Sequence, residues 1–301
     1  MHASPSASAI ERDAKNNCVA DHGRHRLVGV IMAFALKELF ADQDFRFQLT
    51  LRRSDLREFF QPRNPAALEE RRRWLDGDCD LYAATTPDAG PLVAQMQSLA
   101  ASWSIPVPTE PTANDVHSSL IRLGKAFEPD LLLLQPDAGG EFVLKAGVVC
   151  FPSSWALTEK IGRPLDAIHA TVPGLNPSIG TAISTFLERL KPGIAYERSN
   201  WGIAATPELN LHPSLNRPRL KPPLDPDRTW LRIEDQVLSR MPDGESLLFG
   251  IDLRIIPIQE ALHDPAIRKG FHRAMLTMPA GLAAYKGLTP VLPDLLALSA
   301  D

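Results

Sequence analysis

Apolar and polar positions alternate most regularly in W-L-R-I-E-D-Q-V-L (230–238). Leu231, Ile233 and Val237 share one side there, and Arg232, Glu234 and Gln236 share the other. A period of two predicts a half-buried strand. Asp235 interrupts the apolar side, so that side is not uniform core. A second apolar run, S-L-L-F-G-I-D-L-R-I-I (246–256), follows across the turn M-P-D-G-E and predicts the next strand. Upstream, D-L-L-L-L (130–134), the turn Q-P-D-A-G-G and E-F-V-L-K-A-G-V-V-C (141–150) predict a β-hairpin. F-R-F-Q-L-T-L (45–51) also alternates and predicts an edge strand.

Helical periods flank these strands. Asn64-Pro65 predicts a helix start, with Asn as the cap and Pro in the first turn, and the A-A-L-E-E-R-R-R-W-L that follows runs from acidic to basic, as the helix dipole favours. Residues 89–103 and 112–127 predict two more helices. Asn176-Pro177 reads as another cap pair, ahead of Ile179, Ile183, Phe186, Leu187 and Leu190 at helical spacing. Residues 259–299 turn helical again. K-I-G-R-P-L-D-A-I-H-A-T-V-P-G-L (160–175) fits neither period and reads as a stiff apolar loop around His169. The sum is an α+β chain, a central antiparallel sheet with helices before and after it.

Composition narrows the classes. At 301 residues and 44% hydrophobic, the chain has apolar surface for a sizeable core. A net charge of -4 gives no basic field for nucleic acid. Cys18, Cys79 and Cys150 lie far apart without a C-x-x-C, which argues against a disulfide framework and fits a reducing, cytoplasmic compartment. Residues 1–26 read as disordered. The apolar run 27–36 has the look of a signal-peptide core, but Lys37 and Glu38 end it too soon to span a bilayer, so no membrane association is expected. Met32 is the expected true start. Residues 1–31 are then an extension, disordered or non-native, and 32–301 a single domain. Cys18, His22 and His25 have a metal-like spacing, but chance clustering in such a segment is the plainer reading. Dinucleotide, Walker A, nucleophile-elbow, H-E-x-x-H and C-x-x-C-H motifs are absent.

Four stretches carry candidate chemistry. The polar side of 230–238 is either a solvated sheet face or the lining of a pocket in which Arg232 and Glu234 pair. E-R-S-N-W-G-I (197–203) suits orienting an anionic group, or is a structural Asn turn with a packed Trp. V-V-C-F-P-S-S-W (148–155) holds Cys150, read as a buried, inert thiol. His169 is either a hydrogen-bonded core residue or a ligand. Pro164 and Pro173 stiffen its flanks, Lys160, Arg163 and Arg198 could serve the carboxylates of a bound cofactor, and a rigid neutral imidazole in an apolar pocket is what a haem iron needs.

In order along the chain, A-G-V-V-C-F-P-S-S-W, K-I-G-R-P-L-D-A-I-H-A-T-V-P-G-L, E-R-S-N-W and L-R-I-E-D-Q-V-L-S-R-M-P resemble the haem-dependent oxidative N-demethylase family, α-subunit type. R-W-L-D-G-D-C-D-L-Y (73–82) and A-Y-K-G-L (284–288) match more weakly, so the resemblance spans roughly 45–290. It implies a b-type haem in a PAS-like sheet, with His169 standing at the family's I-H-x-P-V-P motif as axial ligand. It implies oxidative removal of an N-methyl group from a small amine such as dimethylamine, with dioxygen consumed and formaldehyde released. Electrons would come from reductase subunits carrying a flavin and an iron–sulfur centre. On this reading Lys160, Arg163 and Arg198 face haem carboxylates. Glu234 carries a proton or pairs with the amine cation, Arg232 holds Glu234 and polarises bound oxygen, and Gln236, Asn200 and Trp201 position the reactants. Two positions depart from the family. Asp235 replaces the second arginine of L-R-x-E-R-Q, and Thr171 stands where proline is usual. A haem-binding gas or redox sensor and a non-catalytic, haem-less subunit are the alternative readings.

Overall fold

A computed structural model describes residues 36–108 and 115–300. The expected extension 1–31, Met32 and the Cys18, His22 and His25 cluster lie outside these residues. The long alternating stretch becomes β6 of a seven-stranded antiparallel sheet. Its strands are β1 (Arg52–Ser54), β2 (Ala83–Thr85), β3 (Asp130–Pro136), β4 (Phe142–Val148), β5 (Ala195–Ala204), β6 (Trp230–Arg240) and β7 (Leu247–Pro257). Their spatial order is β1-β5-β6-β7-β3-β4-β2. β6 and β7 pair without a slip from Trp230↔Pro257 to Arg240↔Leu247. Their turn closes at Gly244, whose φ of 76° favours glycine, while Asp243 accepts from the Glu245 and Ser246 amides. The β3–β4 hairpin turns at Gly140, with φ 85°, and carries one register shift at Leu133/Leu134.

The period of two divides the core between the two faces of this sheet. Leu131, Leu133, Val237 and Leu248 face helices Pro65–Gly77, Gly90–Ser102 and Val116–Ala126. Further along the same face, Leu231 and Ile233 pack with Phe271, Met275 and Leu282 of the C-terminal helices Pro265–Thr277 and Ala280–Tyr285. Leu132, Leu134, Leu247 and Ile251 point to the other face, under Leu157, Leu187 and Leu190. There a half-covered surface is left, and the candidate site lies on it.

A buried ion pair ties the N-terminal helices to the hairpin. Arg71 donates to Asp130 at 2.5 Å and to the carbonyls of Gly124 and Val148. Asp130 in turn accepts the amides of Cys150 and Phe151. Cys150 is buried, and desolvation pushes its thiol up to about 12, so it stays protonated.

Asn64 caps its helix as expected, accepting from the Ala66 and Ala67 amides. Two other expectations change. Residues 45–50 form no strand. The edge of β5 is taken instead by Arg52–Ser54, and Phe45 and Phe47 turn inward against each other and the C-terminal core. Asn176 is not a cap either. Its helix, Leu175–Arg189, starts behind Gly174 at φ 80°, and Asn176 Nδ2 donates to the Asp166 carbonyl. That bond fastens this helix to the short helix Leu165–His169, which replaces the expected loop. No helix among the described residues is long and apolar enough to cross a membrane.

Candidate functional site

Between the half-covered face and the helix Leu175–Arg189 lies a cavity of about 510 Å³. That is within the usual range for an enclosed organic ligand. Its floor is apolar, with Leu132 and Leu134 from β3 and Phe249 and Ile251 from β7. Ile183 and Phe186 wall one side and residues 45–52 another. The spacing noted at Ile183, Phe186 and Leu187 is therefore the cavity face of that helix.

Antiparallel register assembles the polar end. Arg198 lies opposite Gln236, and Asn200 opposite Glu234. Alternate residues of paired strands share a face, so all four side chains line the cavity. Three neutral donors hold the Glu234 carboxylate. Ser153 Oγ donates to Oε1 at 2.5 Å; Gln236 Nε2 and Asn200 Nδ2 donate to Oε2 at 3.0 and 3.4 Å.

Arg232 does not line the cavity. Its Nε donates to Ser153 Oγ at 2.8 Å, and its other nitrogens go to the carbonyls of Phe151 and Leu209 at 2.7 Å and of Glu208 at 3.3 Å. Arg232 therefore holds Glu234 only through the Ser153 hydroxyl, and its guanidinium is spent on carbonyls, which corrects the expectation that it polarises bound oxygen. Burial pulls its pKa down to about 10 against the opposing charges of Glu234 and Asp130.

His169 ends the short helix Leu165–His169 and lines the cavity. Burial lowers its pKa against the opposing charge of Asp166, with Arg198 and Lys160 lowering it further. The imidazole is thus neutral at neutral pH, the form that binds a metal. Among the described residues its ring has no hydrogen-bond partner. Thr171 weakens this turn less than the missing proline suggests, because its hydroxyl donates to the Ile168 carbonyl at 2.8 Å.

Lys160 and Arg198 line the cavity; Arg163 does not. Arg163 is exposed, its side chain donates among the described residues to the Glu159 carbonyl at 3.5 Å, and its own carbonyl accepts from the Leu144 amide. Arg163 is therefore a stitch to β4, and its expected role toward a cofactor is corrected. Lys160 lies 5.4 Å from the Trp155 ring centroid. Arg198 Nε is shut off from solvent without a hydrogen-bond partner. Trp201 also lines the cavity, and its ring packs on Phe40 and Phe271 in the C-terminal core. Asp235 faces the opposite side of the sheet, gripped by Arg254 at 2.6 and 3.0 Å and by Ser199 at 2.5 Å. This departure from the family pattern thus lies outside the cavity.

Two residues here escaped the sequence reading, Ser153 and Lys286. Both sit inside quoted stretches, C-F-P-S-S-W and A-Y-K-G-L, and neither carries a periodic signal.

Fold and cavity together define an α+β protein with an apolar cavity whose polar end carries cations. A family model described as haem-dependent oxidative N-demethylase, alpha subunit-like, matches residues 83–296. The match covers well over half of the chain, and the protein belongs to this family. The matched region begins at β2 and contains His169, Arg198, Glu234 and Lys286; the strap 45–52 precedes it. The family's description implies dependence on haem and, as an α-subunit type, partner subunits.

Proposed function

We propose that the protein removes an N-methyl group from a small amine of the dimethylamine kind. It would consume dioxygen, two electrons and two protons and release the demethylated amine, formaldehyde and water. A b-type haem, ligated by His169 in a PAS-like sheet, would do this within one cytoplasmic domain spanning 32–301. The electrons would come from a reductase partner carrying a flavin and an iron–sulfur centre. What carries the reading is one observation. A neutral imidazole, a fixed carboxylate and unpaired cations converge on one apolar cavity.

The residues fit a haem. Its macrocycle needs apolar walls, its iron an unprotonated imidazole and its propionates cations. The cavity offers leucine and phenylalanine walls, His169, and Arg198 with its orphaned Nε. His169 would hold the iron, and Arg198 and Lys160 the carboxylates. When bound, the haem supplies the redox chemistry that activates dioxygen and oxidises the N-methyl C–H bond. Glu234 holds the N–H of the amine or takes its proton at a carboxylate oxygen. Asn200, Gln236 and Ser153 keep that carboxylate in one orientation, and Arg232 keeps Ser153 in place. Trp201 and the strap 45–52 keep bulk water from the reacting end.

The test is reconstitution of the full chain with haem, read by its visible spectrum. A strong Soret band that His169→Ala loses while staying folded supports the assignment; undiminished axial ligation in that variant removes His169. Formaldehyde is then assayed with dimethylamine and an artificial reductant. Haem binding without formaldehyde overturns the enzymatic reading in favour of a haem-binding sensor, and a protein that takes up no haem favours the haem-less subunit.

A further inference from the structure

We propose that Lys286 and Arg198 form a carboxylate-binding subsite at the Trp201 end of the cavity. The subsite takes one carboxylate of the ligand that the cavity encloses. It deepens the haem reading and rests on it, because there that group is a propionate.

Cations outnumber carboxylates around the cavity. Lys160, Arg198, Lys286, Arg46 and Arg52 line the cavity, against Glu234, Glu197, Glu38 and Asp44. Glu197 is already paired with Arg52 at 2.6 Å and accepts from Ser54 at 3.0 Å. Glu234 already accepts from Ser153, Asn200 and Gln236. Neither carboxylate meets Arg198 or Lys286 in an ion pair. Among the described residues the Arg198 side chain has no hydrogen-bond partner, and the Lys286 side chain has one, the neutral carbonyl of Trp201 at 2.6 Å. The Lys286 ammonium also sits 5.0 Å from the Trp201 ring centroid. An ammonium carries three donors and a guanidinium five, so most of this capacity is unspent.

Unspent, desolvated cations are unfavourable unless something anionic meets them. The strain registers on both groups. Desolvation pulls Lys286 down to about 8, with Glu234 opposing and Arg198 adding to the fall, and it lowers Arg198 as well. Lys286 caps the C-terminal end of helix Ala280–Tyr285, a long way in sequence from β5, yet its ammonium reaches into the sheet's cavity. A carboxylate between Lys286 and Arg198 would satisfy both groups with charge-assisted hydrogen bonds. Lys160, over Trp155, is left for the second carboxylate, and exposed Arg163 is not needed.

The test titrates ferric haem b and its dimethyl ester into the full-length wild type, Lys286→Met and Arg198→Met. Thermal melts of the ligand-free proteins accompany it. Losing a charge-assisted bond should weaken haem binding about 10-fold or more in each variant. The ester should bind weakly and similarly to all three proteins. Ligand-free Lys286→Met should melt at or above the wild type, because an uncompensated cation has gone, and this separates a ligand role from a structural one. Lys286→Arg should keep the affinity and stands in if the Met variant does not fold. Unchanged haem affinity in the folded Met variants, or an ester that binds as tightly as haem, overturns the proposal. If the wild type binds no haem, the functional reading falls by itself. Succinate then decides the subsite: raising the melting temperature of the wild type and neither Met variant supports it, and no rise overturns it.

Discussion

Arg71 and Arg198 are both arginines drawn out of water, and the chain treats them in opposite ways. Arg71, fully buried, meets Asp130 and the carbonyls of Gly124 and Val148, and Asp130 is completed by two backbone amides. Arg198 has its Nε sealed from solvent with nothing to accept it. Arg232, on the same face as Arg198, resembles Arg71, since serine and main-chain carbonyls take up its nitrogens. Arginines that hold the fold together are thus satisfied from within. The arginine in the cavity is left for something from outside, because a buried charge that stays unpaired is unfavourable.

The sharpest way to break this contrast is to remove the satisfied arginine. Arg71→Met should leave Asp130 as a lone buried carboxylate and destabilise the protein by about 3–5 kcal/mol. Urea unfolding measures this, and a loss under 1 kcal/mol would show that the pair is not an internal clasp. Next comes the satisfied carboxylate inside the cavity. Glu234 is held by three neutral donors, so Glu234→Gln keeps much of the shape and removes the charge. Formaldehyde formed per bound haem should fall by about 100-fold with the Soret band intact. Equal turnover in the variant would take Glu234 out of the chemistry.

Asp252 is an intermediate case. It pairs with Arg63 at 2.8 Å, but burial and neighbouring Glu128 outweigh that pairing and raise its pKa to about 6. A raised carboxylate binds its proton more tightly when folded than when unfolded. Its contribution is therefore most favourable at low pH and is lost as pH climbs from the ordinary carboxylate range through about 6. Asp252→Asn should gain about 2–3 kcal/mol over the wild type at pH 7 and less than about 1 kcal/mol at pH 4. Melting curves at the two pH values decide it, and a gain of the same size at both would mean the proton is not involved. The smallest effect belongs to Asp235, which faces away from the cavity into Arg254 and Ser199. Asp235→Asn should leave haem affinity within about 2-fold, although the residue departs from the family pattern. A larger loss in a titration would place Asp235 in contact with the site after all.

Much of this was legible along the chain wherever the period was long and the partners local. β6 and β7, the β3–β4 hairpin and the Asn64 cap depend on alternation, turn residues and a neighbour two or three positions on. The edge-strand reading of 45–51 failed because alternation shows only that two sides differ. Here the apolar side of Phe45 and Phe47 meets helices, and Arg52–Ser54 reaches β5 first. Asn176 failed similarly. Gly174 could adopt the left-handed turn one position ahead of the helix start, which freed the Asn amide to reach Asp166. Arg163 and Lys160 are three residues apart in one basic stretch, yet one faces solvent and the other the cavity.

By itself, the sequence determined the α+β class, the long strands and the ordered motifs that mark the family, and it brought His169, Arg198 and Glu234 forward as candidates. The tertiary structure alone decided which side of β6 is a cavity, that Ser153 links Arg232 to Glu234, and that Lys286 enters the site beside Trp201. The physical reason is distance along the chain. Ser153 and Glu234 are 81 residues apart, and Lys286 and Trp201 are 85 apart. No local period encodes such a meeting, which arises only when strand register and helix packing bring the segments together.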